Sequence, residues 1–116
     1  MMCDAGHKGG YTRKLSTFQK YFRALHCPTR WVILQVIGEG AKSTNEIFEG
    51  LIKAGEGLSR SGLYYHLSEL EEGGIIEFAG YREEGGGAPE KVWRLKTRII
   101  CIDLLEDLVE VSDHDE

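Results

Sequence analysis

The sequence predicts a mainly α, α+β fold: four short helices, a two-stranded hairpin and a terminal helix. Three observations carry this. Apolar residues recur at helical spacing in short segments that capping or breaking residues bound. Two strand-like runs, 75–81 and 91–96, flank a glycine-rich turn. A broad apolar face then follows a capping threonine near the C-terminus. At 116 residues the chain is one domain with room for a real core.

Residues 1–10 lack the apolar centre of a signal peptide and read as a flexible tail. The first helix is expected from Tyr11 to Leu25, with Leu15, Phe18, Phe22 and Leu25 as its apolar stripe. Pro28 suits the first turn of a second helix, where its missing N–H costs nothing. That helix, to about Ile37, carries Trp31, Ile33, Leu34 and Ile37 and is expected to be largely buried. Gly38-Glu39-Gly40 ends it. Ser43-Thr44-Asn45-Glu46 matches a capping box that opens a third helix, with Ile47, Phe48 and Leu51 inward.

Gly55-Glu56-Gly57 leads to Ser59, a helix cap. The helix that follows has Leu63, Leu67 and Leu70 at i, i+4 and i+7 and stops at Gly73-Gly74. Two short helices joined by a glycine-bearing turn are the helix-turn-helix arrangement. In the second strand run, Trp93 and Leu95 alternate with Val92, Arg94 and Lys96, the period of a half-buried strand. Residues 82–90 are the hairpin tip. The domain is thus expected over 11–97. Thr97 is read as the cap of a terminal helix over 98–111, whose apolar face of Ile99, Ile102, Leu105, Leu108 and Val109 needs a partner to cover it. Residues 112–116 form an acidic tail.

Charge is segregated. All 14 Lys and Arg lie in 1–98 beside 12 acids, whereas 99–116 hold seven acids and no Lys or Arg. The net charge of −5 lowers the expectation of tight nonspecific nucleic-acid binding and leaves specific binding open. No apolar run approaches the roughly 20 residues of a membrane helix. A soluble, cytoplasmic protein is expected. Three cysteines without close spacing indicate neither a disulfide framework nor a zinc knuckle. Cys27 and Cys101 read as small buried apolar residues.

The fourth helix carries the functional expectation. Ser61, Tyr65 and Ser68 fall roughly opposite its leucine stripe, with Tyr64 on the flank and Ser59 and Arg60 at its start. Large aromatics left on a polar face are usually placed for contact. Serine and arginine at a helix N-terminus suit phosphate. A short helix buried on one side and presenting Arg, Ser and Tyr fits a DNA groove. Thr44 and Asn45, opening the preceding helix, are expected to meet backbone phosphate or simply to cap. His66, beside the leucine stripe, reads as a partly buried, hydrogen-bonded histidine rather than a proton switch.

Ala24-Leu25-His26-Cys27-Pro28-Thr29-Arg30-Trp31-Val32-Ile33-Leu34 resembles the opening of ArsR-type repressors. Residues 63–67 with 70–76 are similar to the recognition helix and exit of ArsR-type and PadR-type regulators. Residues 85–97, with glycines, a proline, basic residues, an aromatic and Leu-Lys-Thr, are closer to the PadR pattern. The resemblance spans about 22–98. It implies a winged helix-turn-helix with N- and C-terminal dimerisation helices: a homodimeric transcriptional regulator of double-stranded DNA. The dimer interface is then expected at Phe18 and Phe22 with Ile99, Ile102, Leu105, Leu108 and Val109. Arg82, Lys91 and Arg94 are wing residues placed towards a minor groove or phosphates. The metal ligands of ArsR-type sensors are missing: the third helix has no Cys or His, and the terminal segment offers only Asp103 and Asp107, with His114 beyond.

Cys3, His7, His26 and Cys27 have no tight ligand spacing, so no metal and no cofactor is expected. No nucleophile elbow or phosphate loop appears, so no enzyme is expected. No residue pattern points to a particular effector. The alternative to a regulator is a winged-helix protein-interaction module, since a fold does not dictate a function.

Overall fold

The computed structural model describes residues 11–83, 85–105 and 108–113. Four helices build the centre: α1 (Leu15–Leu25), α2 (Pro28–Ile37), α3 (Thr44–Lys53) and α4 (Arg60–Glu72). Two three-stranded antiparallel sheets flank them. One holds β2 (Ala41–Ser43), β3 (Ile76–Arg82) and β4 (Glu90–Leu95) in the order β2-β4-β3. The other holds β1 (Tyr11–Lys14), β5 (Thr97–Asp103) and β6 (Leu108–Asp113) in the order β1-β6-β5. Ile33, Ile37, Ile47, Leu51, Leu63, Leu67 and Leu70 meet in a fully buried core, which Ile75 and Ile76 extend towards the sheets.

The four expected central helices are present. Both halves of the capping box form, with Glu46 N donating to Ser43 Oγ at 3.1 Å and Ser43 N donating to Glu46 Oε1 at 2.8 Å. The end of α4 depends on both glycines. Gly74 adopts φ of 80°, a left-handed conformation that other residues disfavour. Gly73 lets α1 approach, since a Cβ there would stand 2.5 Å from the Cβ of Ala24.

The C-terminal segment departs from the sequence expectation. The described residues of 98–111 are not helical but form most of a hairpin, β5 and β6, paired Ile100↔Val111 and Ile102↔Val109. Ser112 and Asp113, expected in the tail, complete β6. Ile99, Ile100, Ile102, Val109 and Val111 are β-branched, a chemistry that suits a pleated sheet better than a helix. The deciding partner is distant in sequence. β1 pairs with β6, Tyr11 facing Val111 and Lys14 facing Leu108, so the first helix begins at Leu15 rather than Tyr11. Accordingly 11–97 and 98–111 are not separate units; one sheet joins them. Thr97 caps no helix: it opens β5, and its hydroxyl donates to Gly74 O at 2.7 Å. The expected tail, residues 1–10, lies outside the described residues, as do 114–116.

Smaller corrections follow from packing. Trp31, expected inside, is 51% exposed, and its indole N–H donates to Leu25 O at 2.8 Å. Val92 is buried alongside Trp93, because β4 is the central strand and Val92 lies between Ser43 and Gly80. Cys101 is disulfide-bonded and only half-buried, whereas Cys27 is a free thiol.

Candidate nucleic-acid interface

Ser59 stands before α4 in extended conformation, and its Oγ accepts from Gly62 N at 3.1 Å. The stripe of Leu63, Leu67 and Leu70 is buried, which turns the opposite face outward. That face presents Ser61, Tyr64, Tyr65 and Ser68, with the tyrosines 54% and 58% exposed. Ser61 Oγ lies 3.1 Å from Ser59 Oγ.

Arg60 is tied to the preceding helix. Its Nη2 donates to Asn45 Oδ1 at 2.6 Å, and its guanidinium lies over the Phe48 ring at 4.4 Å. Both contacts span the turn between α3 and α4, and the guanidinium covers part of the half-buried Phe48 ring. Thr44 is spent inside the fold. It is buried, accepts from Trp93 Nε1 at 3.0 Å and donates to Lys91 O at 3.2 Å, so its hydroxyl fastens α3 to β4.

Arg30 had no place among the sequence candidates, yet it supports the outer face from below. It is buried, donates from Nη1 to Ala24 O at 3.1 Å and from Nε to His66 Nδ1 at 3.0 Å, and lies 5.5 Å from the Tyr65 ring. Because His66 Nδ1 accepts, the ring is neutral with its proton on Nε2. Burial lowers the His66 pKa, the Arg30 charge lowers it further, and Glu69 opposes both. His66 is thus the half-buried, hydrogen-bonded residue the sequence suggested.

Of the expected cations in the β3–β4 hairpin, two are paired. Arg82 Nη1 donates to Glu46 Oε1 at 2.7 Å, and Arg94 Nε donates to Glu77 Oε2 at 2.6 Å on the neighbouring strand. The Glu46 carboxyl is held below its ordinary pKa, first by the Ser43 N–H and then by Arg82. Lys91 lies over Phe78 at 5.7 Å and Trp93 at 5.5 Å. Phe78 and Tyr81, which carried no sequence signal beyond being aromatic, are exposed on β3 with ring centroids 5.1 Å apart. Between α4 and the hairpin lies a cleft of about 420 Å³ that Tyr64, Ser68, Glu71, Pro89 and Lys91 line. Of the expected surface residues, Ser59, Arg60, Ser61, Tyr64, Tyr65 and Ser68 lie at α4, Asn45 lies on α3 against Arg60, and Arg82, Lys91 and Arg94 lie on the hairpin, whereas Thr44 is buried.

Residues 24–77 match the family of helix-turn-helix domains. The chain's fold is that of a winged helix-turn-helix. Its fold resembles that of Bacillus subtilis PadR, solved in complex with operator DNA (24% identity, TM-score 0.50, 60% of this chain and 40% of that one). It also resembles the homodimeric winged helix-turn-helix DNA-binding domain of Mb0332 from Mycobacterium bovis, a possible ArsR-family regulator (22% identity, TM-score 0.51, 70% and 65%). A third likeness is to the Vibrio cholerae ferric uptake regulator (23% identity, TM-score 0.50, 83% and 77%). The chain thus spans less than two thirds of the PadR and Mb0332 chains. No curated protein matches it. In this fold α4 occupies the position of the second helix of the helix-turn-helix, and β3–β4 form the hairpin called the wing.

Among the described residues no group of three or more His, Cys, Asp or Glu gathers to hold a metal. Cys3, His7 and His114 lie outside them. Nor is any described helix long and apolar enough to cross a membrane.

Proposed function

We propose that this chain is a cytoplasmic, dimeric transcription regulator, acting as a repressor, that reads double-stranded DNA with the outer face of α4. One observation carries the reading: Tyr64 and Tyr65 stand more than half exposed, between two exposed serines, on the face opposite a fully buried leucine stripe. Ser61 and Tyr65 contact base edges or thymine methyls in the major groove. Tyr64 and Ser68, beside the wing cleft, meet sugar and phosphate. Arg60, held by Asn45 and Phe48, keeps free N–H groups for a phosphate, and Ser59 and Asn45 sit at the same backbone. Lys91 and Arg82 follow the backbone from the wing, and Arg94, paired on the sheet, adds charge there.

Binding isotherms on operator and random duplexes, at two salt concentrations, test this. Tyr65→Ala is expected to cost about 1–3 kcal/mol on operator and little on random DNA. Arg60→Ala is expected to weaken both duplexes alike and flatten the salt dependence. Exposed Phe78 and Tyr81 favour a second reading, a protein-interaction module. It replaces the first if Tyr65→Ala leaves operator affinity untouched while the fold is intact.

A further inference from the structure

A charged side chain lies buried where α1, α2 and α4 meet. Arg30 is 6% exposed, and among the described residues no carboxylate stands within 4.0 Å of its guanidinium. A buried cation ordinarily has an anionic partner. Here the partners are neutral. Nη1 donates to Ala24 O at 3.1 Å, Nε donates to His66 Nδ1 at 3.0 Å, and the Tyr65 ring stands 5.5 Å from the guanidinium carbon. The Tyr65 and His66 rings are themselves 5.5 Å apart. The three side chains form one contiguous set, buried at Arg30 and 58% exposed at Tyr65 on the outer face of α4. Tyr64, the other exposed ring of that face, has no cation beneath it among the described residues.

We propose that Arg30 and His66 are positioning residues for DNA recognition: they hold the Tyr65 ring in the orientation that meets the bases. This rests on the DNA-reading face proposed above and assigns the two residues beneath it. An exposed tyrosine has several rotamers, and each one that misses the bases costs affinity. The guanidinium favours one of them by attraction to the negative face of the ring. His66 in turn fixes the guanidinium, because its neutral ring offers Nε a lone pair. Protonation removes that lone pair and sets a second cation against the first. Around His66, α2 presents Arg30, α4 presents Glu69, and α1 presents Lys20 and Arg23, which line a cleft with Glu69. Glu56, in the α3–α4 turn, accepts from Thr29 beside Arg30 at 3.3 Å. A proton gained near a DNA-binding surface ordinarily strengthens binding to every duplex through the phosphates. The support of Tyr65 predicts the reverse for specific DNA, which acid should weaken relative to random DNA.

The test uses the full chain, a duplex that it selects from a random-sequence pool at about pH 7.5, and a scrambled duplex of equal length. As the pH falls through the His66 midpoint, followed by NMR, the ratio of selected to scrambled affinity should drop about three- to tenfold. A far-UV spectrum at each pH keeps the comparison to folded protein. His66→Leu, which offers no acceptor, should show the lowered ratio at every pH. His66→Gln should recover the ratio and lose its pH dependence. Arg30→Gln should lower the ratio as His66→Leu does; if that variant does not fold, the two His66 variants decide. In a Tyr65→Ala background neither change should lower the ratio further, since the ring that they position is gone. Effects that add in that background, or a parent ratio that ignores pH, overturn the proposal. One readout needs no DNA: the Tyr65 rotamer populations, from three-bond couplings, should narrow to one above the His66 midpoint and spread below it. A parent without preference for its selected duplex, whose Tyr65 rotamers still follow His66, sinks the proposed function. A parent that prefers that duplex by the same ratio at every pH sinks the positioning role alone.

Discussion

His66 Nδ1 accepts from the buried Arg30 guanidinium at 3.0 Å, so a proton arriving there displaces the hydrogen bond and leaves two cations side by side. The fold therefore holds the His66 pKa below 6.5, through burial first and the Arg30 charge second. The unfolded chain then binds more protons than the native one as acid is added. The stabilisation is fully present above about pH 6.5 and is lost as the pH falls through the lowered native pKa. The urea midpoint should fall between neutral and mildly acid pH. His66→Gln, whose amide oxygen also accepts from Arg30, should flatten that slope; an unchanged slope would assign the acid sensitivity elsewhere. Arg30 itself was invisible in the sequence. An arginine one turn into a helix ordinarily lies in solvent, and only the approach of α4 supplies its acceptor.

At the scale of elements, the wing is fastened to α3 through Thr44, whose hydroxyl bridges the Trp93 indole and the Lys91 carbonyl. Thr44→Val keeps the shape and leaves both partners unsatisfied, so it should destabilise the protein by about 1–3 kcal/mol in chemical denaturation. A neutral result would mean that water satisfies both groups. The α1–α4 crossing should prove as intolerant. Gly73→Ala sets two methyl carbons 2.5 Å apart, and neither can rotate away, so an overpacking cost of about 1–3 kcal/mol is expected from thermal unfolding. Ala at that position with an unchanged midpoint would mean that α1 shifts freely. Caps and stops such as Ser43, Ser59 and Gly73-Gly74 were legible in the sequence because each acts within a few residues. The role of Thr44 was not, since its partners lie 47 and 49 residues away.

At the scale of the whole molecule, a two-fold dimer carries two copies of α4, so its operator should have symmetric half-sites roughly 10–10.5 base pairs apart, in successive turns of the major groove. Footprinting and half-site insertions check this. Five inserted base pairs should abolish cooperative protection, and equal protection of a lone half-site would exclude a two-fold reader. The acidity of residues 99–116 should keep affinity for random DNA low, so the ratio of specific to nonspecific binding should hold as salt rises.

The sequence by itself determined the four central helices, their caps, the wing hairpin and the outward tyrosines of α4. Each follows from the period of apolar residues and from residues that act on their own backbone. Only the tertiary structure decided the C-terminal segment. Ile99, Ile102, Leu105 and Val109 satisfy a helical stripe as read along the chain, yet Ile99–Ile102 and Val109–Val111 are also strand-forming. What separates the two is the pairing of β6 with Tyr11–Lys14 at the other end of the chain. Backbone hydrogen bonds between segments nearly a hundred residues apart leave no local periodicity, so the choice between helix and hairpin was made by a partner strand, not by the segment itself.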